Sequence, residues 1–220
     1  MTKKFFVALT MLAVFFTSSI ALAAYEETIE EDADLTAVKK IAVAFPNYYK
    51  MEDKEPTATE LAKGIYDAGK NNSSREIVSY EDVAAAIRRD TGIDIYRLDA
   101  VEAEKVYLAN IARYADSYLI ETVANNSGKP WVFFYIYNAA DQKLMYAYSI
   151  QSHFIGKNAK DYYKAAEDFF KKFDDTAAKK LSKEDKEKYK EQKKELQARK
   201  KKSKVIYKTG RNKVDLVTKK

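Results

Sequence analysis

The sequence predicts an α/β fold: one mixed sheet with a C-terminal antiparallel meander, packed by helices, followed by a basic helical tail. Three observations predict it. Strand-like and helix-like segments alternate from Val38 to Tyr114, which is the pattern of an α/β layer. Three strand-like segments then follow in a row with short polar turns, as in a meander. Finally, 18 lysines and arginines meet 6 acids over residues 176–220, a balance of +12. With +2 from residues 1–23 and +6 overall, −8 remains for residues 24–175, so an acidic domain carries a basic tail.

Residues 1–23 have the layout of a secretory signal peptide. Lys3 and Lys4 precede an apolar run, Phe5 to Ile20, and Ala21-Leu22-Ala23 supplies the small-x-small cleavage site. The run is short for a membrane span, and the cleavage site follows at once. The mature chain is expected to start near Ala24 and to be exported, periplasmic or secreted. There is no cysteine. That rules out disulfides, thiolate metal sites and a lipidated N-terminal cysteine.

Residues 24–37 are acidic and show no period, which predicts a leader or linker. In VKKIAVAF, Ile41, Val43 and Phe45 alternate as in a strand that Pro46-Asn47 ends. Thr57 or Thr59 caps a helix running to Ala68, with Leu61 and Ile65 inward and Gly69 as its stop. Glu76 to Ser79 is a short strand, and Ser79-Tyr80-Glu81-Asp82 opens a helix over Tyr80–Asp90 that Thr91-Gly92 ends. A third helix spans Asp99–Tyr114, with Val101, Val106, Leu108 and Ile111 as its inner stripe. The meander strands are Ser117–Ala124, Trp131–Tyr137 and Leu144–Gln151. Asn158 caps a helix to about Phe173, with Tyr162, Ala166, Phe169 and Phe173 on one face. A core domain over 38–175 has the length for one ordinary hydrophobic core. In the tail, Ser182-Lys183-Glu184-Asp185 opens a lysine-rich helix to about Lys202. Beyond it, Lys204–Tyr207 and Val214–Val217 flank Thr209-Gly210-Arg211-Asn212, as a small hairpin or without order.

The stretches KIAVAFP, REIVSYEDVAAAI, YADSYLIETVANN and FFYIYNAADQKLMYAYSI stand in an order that resembles a known group. It is the periplasmic domain shared by CsgG-like curli-secretion proteins, the LpoB activators of penicillin-binding proteins and the N-terminal domain of TolB. The resemblance covers about residues 38–152 and lies in strand patterns. It implies that fold and an envelope setting. The chain departs from the group in lacking a lipobox cysteine, an evident pore-forming insertion and the Thr-Gly usual where Ala139-Ala140 stands. Pore formation and enzyme activation stay open alternatives.

Catalytic signatures are absent. The single histidine, His153, follows the last meander strand, where a structural or surface role is the common one. There is no glycine-rich phosphate loop and no G-x-S-x-G elbow. Glu26-Glu27 and Glu30-Glu31-Asp32 lie in the expected leader, and Glu81-Asp82 lie at a helix N-terminus, where carboxylates favour the dipole. No cofactor and no metal are expected. The reading is a non-enzymatic exported envelope module that binds another protein or envelope component. The alternatives are a hydrolase working with carboxylates alone and a self-assembling surface protein.

Two candidate surfaces follow. The cluster Arg199, Lys200, Lys201, Lys202 and Lys204 suits anionic lipid headgroups or cell-wall polymers. It would also suit nucleic acid, a partner that export excludes. A solvated helix is the plain alternative. The second surface is the hairpin WVFFYIYNAADQKLMYAYSI, which carries large side chains on both faces. Pairing Tyr137 with Leu144 sets Tyr135 against Tyr146, Phe133 against Tyr148 and Trp131 against Ile150. This register makes Trp131, Phe133, Tyr135, Tyr137, Tyr146 and Tyr148 one aromatic, partner-binding face. Val132, Phe134, Ile136, Met145, Ala147 and Ser149 then face the core. A slip of one residue exchanges the two sides.

Overall fold

The computed structural model describes residues 24–50, 53, 55–126, 129–151 and 158–198. The chain runs β1 (Ala24–Ile29), β2 (Lys40–Val43), α1 (Ala58–Asn72), β3 (Glu76–Val78), α2 (Tyr80–Thr91) and α3 (Ala100–Asn110). It continues through β4 (Ser117–Asn126), β5 (Lys129–Asn138), β6 (Leu144–Gln151), α4 (Ala159–Lys179) and α5 (183–198). Single 3-10 turns, Ile95–Arg97 and Ile111–Arg113, flank α3. The strands form one mixed sheet in the order β1-β6-β5-β4-β2-β3. β2 is parallel to β3 and β4, and the other neighbours are antiparallel. The α/β class and the meander are as the sequence predicts.

Local chemistry sets most boundaries. Thr57 caps α1 in a capping box with Glu60, which satisfies two backbone donors at once. Ser79 caps α2, and Gly92 closes it in the left-handed region at φ 76°. Gly69 does not stop α1, which continues to Asn72. It is small for a different reason: a Cβ there would lie 2.6 Å from Cζ of Phe170 on α4. The glycine is the notch that lets the two helices close.

α1 and α4 cover one face of the sheet. Leu61 and Ile65 from α1 and Tyr162, Ala166, Phe169, Phe170 and Phe173 from α4 bury against Val132, Phe134, Ile136, Tyr146 and Tyr148. Each fully buried phenylalanine contributes about 1.5–3 kcal/mol of transfer free energy. α2 and α3 cover the second face, but only over β2–β4, where Val83, Ile87, Tyr107 and Ile111 meet Ala42 and Tyr118. Within α3 the expected stripe is shifted. Val101 is 77% exposed, and the buried anchor is Tyr107, whose hydroxyl donates to the Val43 carbonyl at 3.0 Å.

Two expectations change. The acidic stretch read as a leader contains β1, which pairs along β6 from Ala24↔Gln151 to Ile29↔Tyr146. Its inward Glu27 accepts from the Tyr146 hydroxyl at 3.1 Å and from Thr176, and pairs with Lys172 at 3.1 Å. Those partners stabilise a charge on an otherwise apolar strand face. At the other end, α4 runs past Phe173 to Lys179 and buries Thr176 and Ala177, so the first residues counted with the tail belong to a core helix.

Candidate functional site

The hairpin β5–β6 begins as expected, with Tyr137 opposite Leu144. A β-bulge then intervenes, and Ile136 lies opposite Tyr146, Phe134 opposite Tyr148 and Phe133 opposite Ser149. One extra residue on β6 shifts every later side chain by one position. The six aromatic residues expected on one face are therefore divided. Tyr146 and Tyr148 are buried under α4, with Tyr146 5.1 Å from Phe173 and Tyr148 6.1 Å from Phe169, ring to ring. Trp131, Phe133, Tyr135 and Tyr137 keep the opposite face.

Those four form a ladder along β5. Ring centroids are 5.9 Å apart for Trp131–Phe133, 6.1 Å for Phe133–Tyr135 and 6.4 Å for Tyr135–Tyr137. Tyr137 stacks on Tyr118 at 5.2 Å and so joins the core under α2 and α3. Trp131, Phe133 and Tyr135 belong to neither core and are half-buried, screened largely by one another. Thr122 and Ala124 lie opposite Phe133 and Trp131 on β4, while Ala147 and Ser149 lie opposite Tyr135 and Phe133 on β6. The rings thus stand as a ridge between two strips of small residues. On β1, Glu26 and Thr28 continue the same face beside Ser149 and Ala147. Among the described residues no helix covers this half of the sheet. Partial burial raises the phenol pKa of Tyr135 and Tyr137 above the ordinary value, so both remain neutral hydrogen-bonding groups.

On the covered face, the structure shows a group that the sequence reading passed over. Glu121 lies on β4 opposite Phe134, between Leu119 and Val123, and is fully buried. Both carboxyl oxygens lack a hydrogen-bond partner. Burial raises its pKa to about 8. A charged residue in the inward phase of a strand, Leu119-x-Glu121-x-Val123, is the sequence signal that could have found it. The folded state holds this proton where the unfolded chain releases it near 4.5, so the stability it contributes is complete below pH 4.5 and is lost as pH rises toward 8. Glu121→Gln is therefore expected to stabilise the protein at pH 7 by about 3 kcal/mol and to leave it little changed at pH 4. Urea unfolding at the two pH values checks this; an equal effect at both would show that the carboxyl is not held neutral.

The remaining candidates lie elsewhere. Arg199, Lys200, Lys201, Lys202, Lys204 and His153 are outside the described residues. A groove between α2 and Ile95–Arg97 is lined by Glu81, Arg88, Arg89, Asp94 and Tyr96, but Asp94 is engaged by Arg88 at 3.4 Å and Arg97 at 3.5 Å. Among the described residues no group of three or more His, Cys, Asp or Glu side chains is placed to hold a metal ion. No described helix is long and apolar enough to cross a membrane.

No protein-family model matches the chain, and no curated protein matches it. Among solved structures, the PelC dodecamer from Paraburkholderia phytofirmans is similar with a TM-score of 0.40 and 10% identity, over 69% of this chain and 97% of that one. The C-terminal domain of LpoB from Escherichia coli is similar with a TM-score of 0.39 and 14% identity, over 53% of this chain and 83% of that one. Lipoprotein GNA1162 from Neisseria meningitidis reaches 0.35 and 12% identity, over 55% and 82%. LpoB is a member of the group that the strand patterns resemble, so that resemblance is present and slight. Likenesses of this size carry no inference about the site. No catalytic family is indicated.

Proposed function

We propose that this chain is a non-enzymatic, exported envelope module that binds another protein through the ridge of Trp131, Phe133 and Tyr135. The supporting observation is the half-sheet over β5, β6 and β1, which carries stacked aromatic rings and no covering helix among the described residues. Such rings offer large apolar area with few rotors to fix, and tyrosine hydroxyls remain usable at the rim, as protein interfaces favour. Ala124 is exposed and Thr122 and Ala147 are partly exposed, which leaves room for a partner's side chains beside the ridge, whereas Ser149 is buried next to Phe133. Export rests on the layout of residues 1–23 and predicts an N-terminus at or near Ala24 in the exported protein. N-terminal sequencing checks it, and Met1 retained on membrane-bound protein would contradict it.

The binding test uses a photo-crosslinking phenylalanine analogue at Ala147, in the strip beside Tyr135. In the native envelope it is expected to form a defined adduct with a different protein. Phe133→Ser with Tyr135→Ser should abolish the adduct while unfolding stays within about 1 kcal/mol of wild type, since both rings remain half-open to water. Tyr146→Ser, on the other face of the same hairpin, should instead cost about 3 kcal/mol. An adduct that survives the double variant defeats the proposal, and an adduct between two copies favours the self-assembling alternative. Unfolding of the double variant would place those rings in the core.

A further inference from the structure

The parallel part of the sheet has a switch point. From β2 the chain crosses through α1 to β3 on one side, and from β3 it crosses through α2 and α3 to β4 on the other side of β2. α1 and the α2–α3 pair lie on opposite faces. In open α/β sheets, ligands bind outside the carboxyl ends of the strands where the order reverses in this way. Here the place is where β2 stops at Val43 while β4 runs on. The chain beyond β2 follows β4 without forming a full strand: the Asn47 amide donates to the Glu121 carbonyl at 2.8 Å, and the Val123 amide donates to the Asn47 carbonyl at 3.2 Å. It then leads to the capped start of α1.

Glu121 is at this point. Its carboxyl is buried without a hydrogen-bond partner. Tyr48, next to the Asn47↔Thr122 bridge, and Tyr162 on α4 pack in the same core as Leu119, Val123 and Phe134 around Glu121, and their rings meet edge-on at 6.2 Å. The Tyr48 hydroxyl donates to Glu55 at 3.1 Å, which adds a second acid at the rim. Phe134 lies opposite on β5. A buried carboxyl whose two oxygens have no partner, at the position where α/β sheets take ligands, is an incomplete binding site.

We propose that Glu121 anchors a site for a small organic cation bearing a primary ammonium group. An ammonium brings three donors to two orphaned acceptors, and its charge suits the faces of Tyr48, Tyr162 and Phe134. A metal ion needs more oxygen ligands than the described acids supply together. Tyr48 is half-buried while Tyr162 is buried, so the ligand reaches the carboxyl past Tyr48. The ligand-free carboxyl holds a proton, and the bound carboxylate does not, so binding releases one proton. The titratable groups around the site are Tyr48 and its acceptor Glu55 from the β2–α1 connection and Tyr162 from α4, whose ring meets that of Tyr48. Burial raises both phenols well above neutral pH, so neither phenol supplies the released proton. Affinity should then rise roughly tenfold per pH unit from pH 6 toward 8.

The experiment is calorimetric titration of the protein, purified after export, with n-butylamine at pH 6, 7 and 8. Two buffers of different ionisation enthalpy report the proton, and n-butanol serves as the neutral counterpart. The expected result is one amine per chain, affinity rising with pH, about one proton released at pH 6–7, and no binding of butanol. Glu121→Gln should lose roughly a hundredfold in affinity while keeping the wild-type far-ultraviolet spectrum. Failure of butylamine to bind at all three pH values overturns the proposal. So does equal binding of butanol, or amine binding without proton release, which reads the wild-type chain alone and does not depend on the variant folding. The result is independent of the aromatic ridge, which lies on the opposite face of the sheet.

Discussion

Phe169→Ala is expected to lower stability by about 5 kcal/mol, among the largest effects of any single truncation in the chain. Phe169 is fully buried where α4 crosses the meander. Its ring centroid lies 4.7 Å from Phe134, 4.9 Å from Phe170, 6.1 Å from Tyr148, 6.2 Å from Tyr146 and 6.3 Å from Phe173. Three of these neighbours are on sheet strands whose registers are fixed on both sides, and two are on the same helix. None can swing into the space without leaving its own contacts, so most of the cavity remains. Urea unfolding followed by circular dichroism measures the loss. A change below about 1.5 kcal/mol would mean that α4 does not pack on the sheet through this ring.

Asp174→Ala is expected to cost about 4 kcal/mol, for an electrostatic reason. Asp174 is buried near the C-terminal end of α4, and Arg75 reaches it at 2.7 Å with its own side chain only 10% exposed. The carboxylate also accepts from the Ser74 amide at 2.5 Å and from the Ser73 hydroxyl at 3.3 Å. Burial pushes the Asp174 carboxyl above the usual aspartate range, and Arg75 and the serines pull it back. The pair therefore adds little net stability over an apolar isostere, yet it joins α4 to the start of β3. Removing the acid alone leaves a guanidinium and a backbone amide buried without their partner. Asp174→Ala with Arg75→Leu should recover much of the loss, because the uncompensated charge goes too. If the double variant is no better than the single one, the cost lies in packing.

Most of the layer order was legible because capping boxes and strand alternation are local signals. Thr57 with Glu60, Ser79 and Gly92 mark their helix ends from four or five adjacent residues. What was not legible depended on distant residues. Tyr25-Glu26-Glu27-Thr28-Ile29 shows no apolar period, because its central inward residue is an acid whose partners lie more than a hundred positions away. Gly69 reads as a helix stop until Phe170, far along the chain, is seen to need the space. The bulge after Tyr137 leaves no mark in HPHP counting, which assumes one step per residue on both strands, and so Tyr146 and Tyr148 were assigned to the wrong side. Trp131, Phe133, Tyr135 and Tyr137 share one face because β5 itself is regular, and Tyr137 packs into the core under α2 and α3. Glu121 was visible as an inward charge, and only the structure shows that nothing answers it.

The first strand also governs the order of assembly. Glu27 meets Tyr146 across 119 positions and Thr176 across 149. Closing loops of that length is slow, and nothing nearer in the chain completes β1. A polypeptide threaded from its N-terminus through any channel would therefore deliver β1 early, leave it unpaired until β6 had emerged, and leave Glu27 without Lys172 and Thr176 until α4 followed. The last edge of the sheet cannot lock before nearly the whole domain is through. In a chain emerging in that order, the docking of its oldest segment would be the last step of assembly.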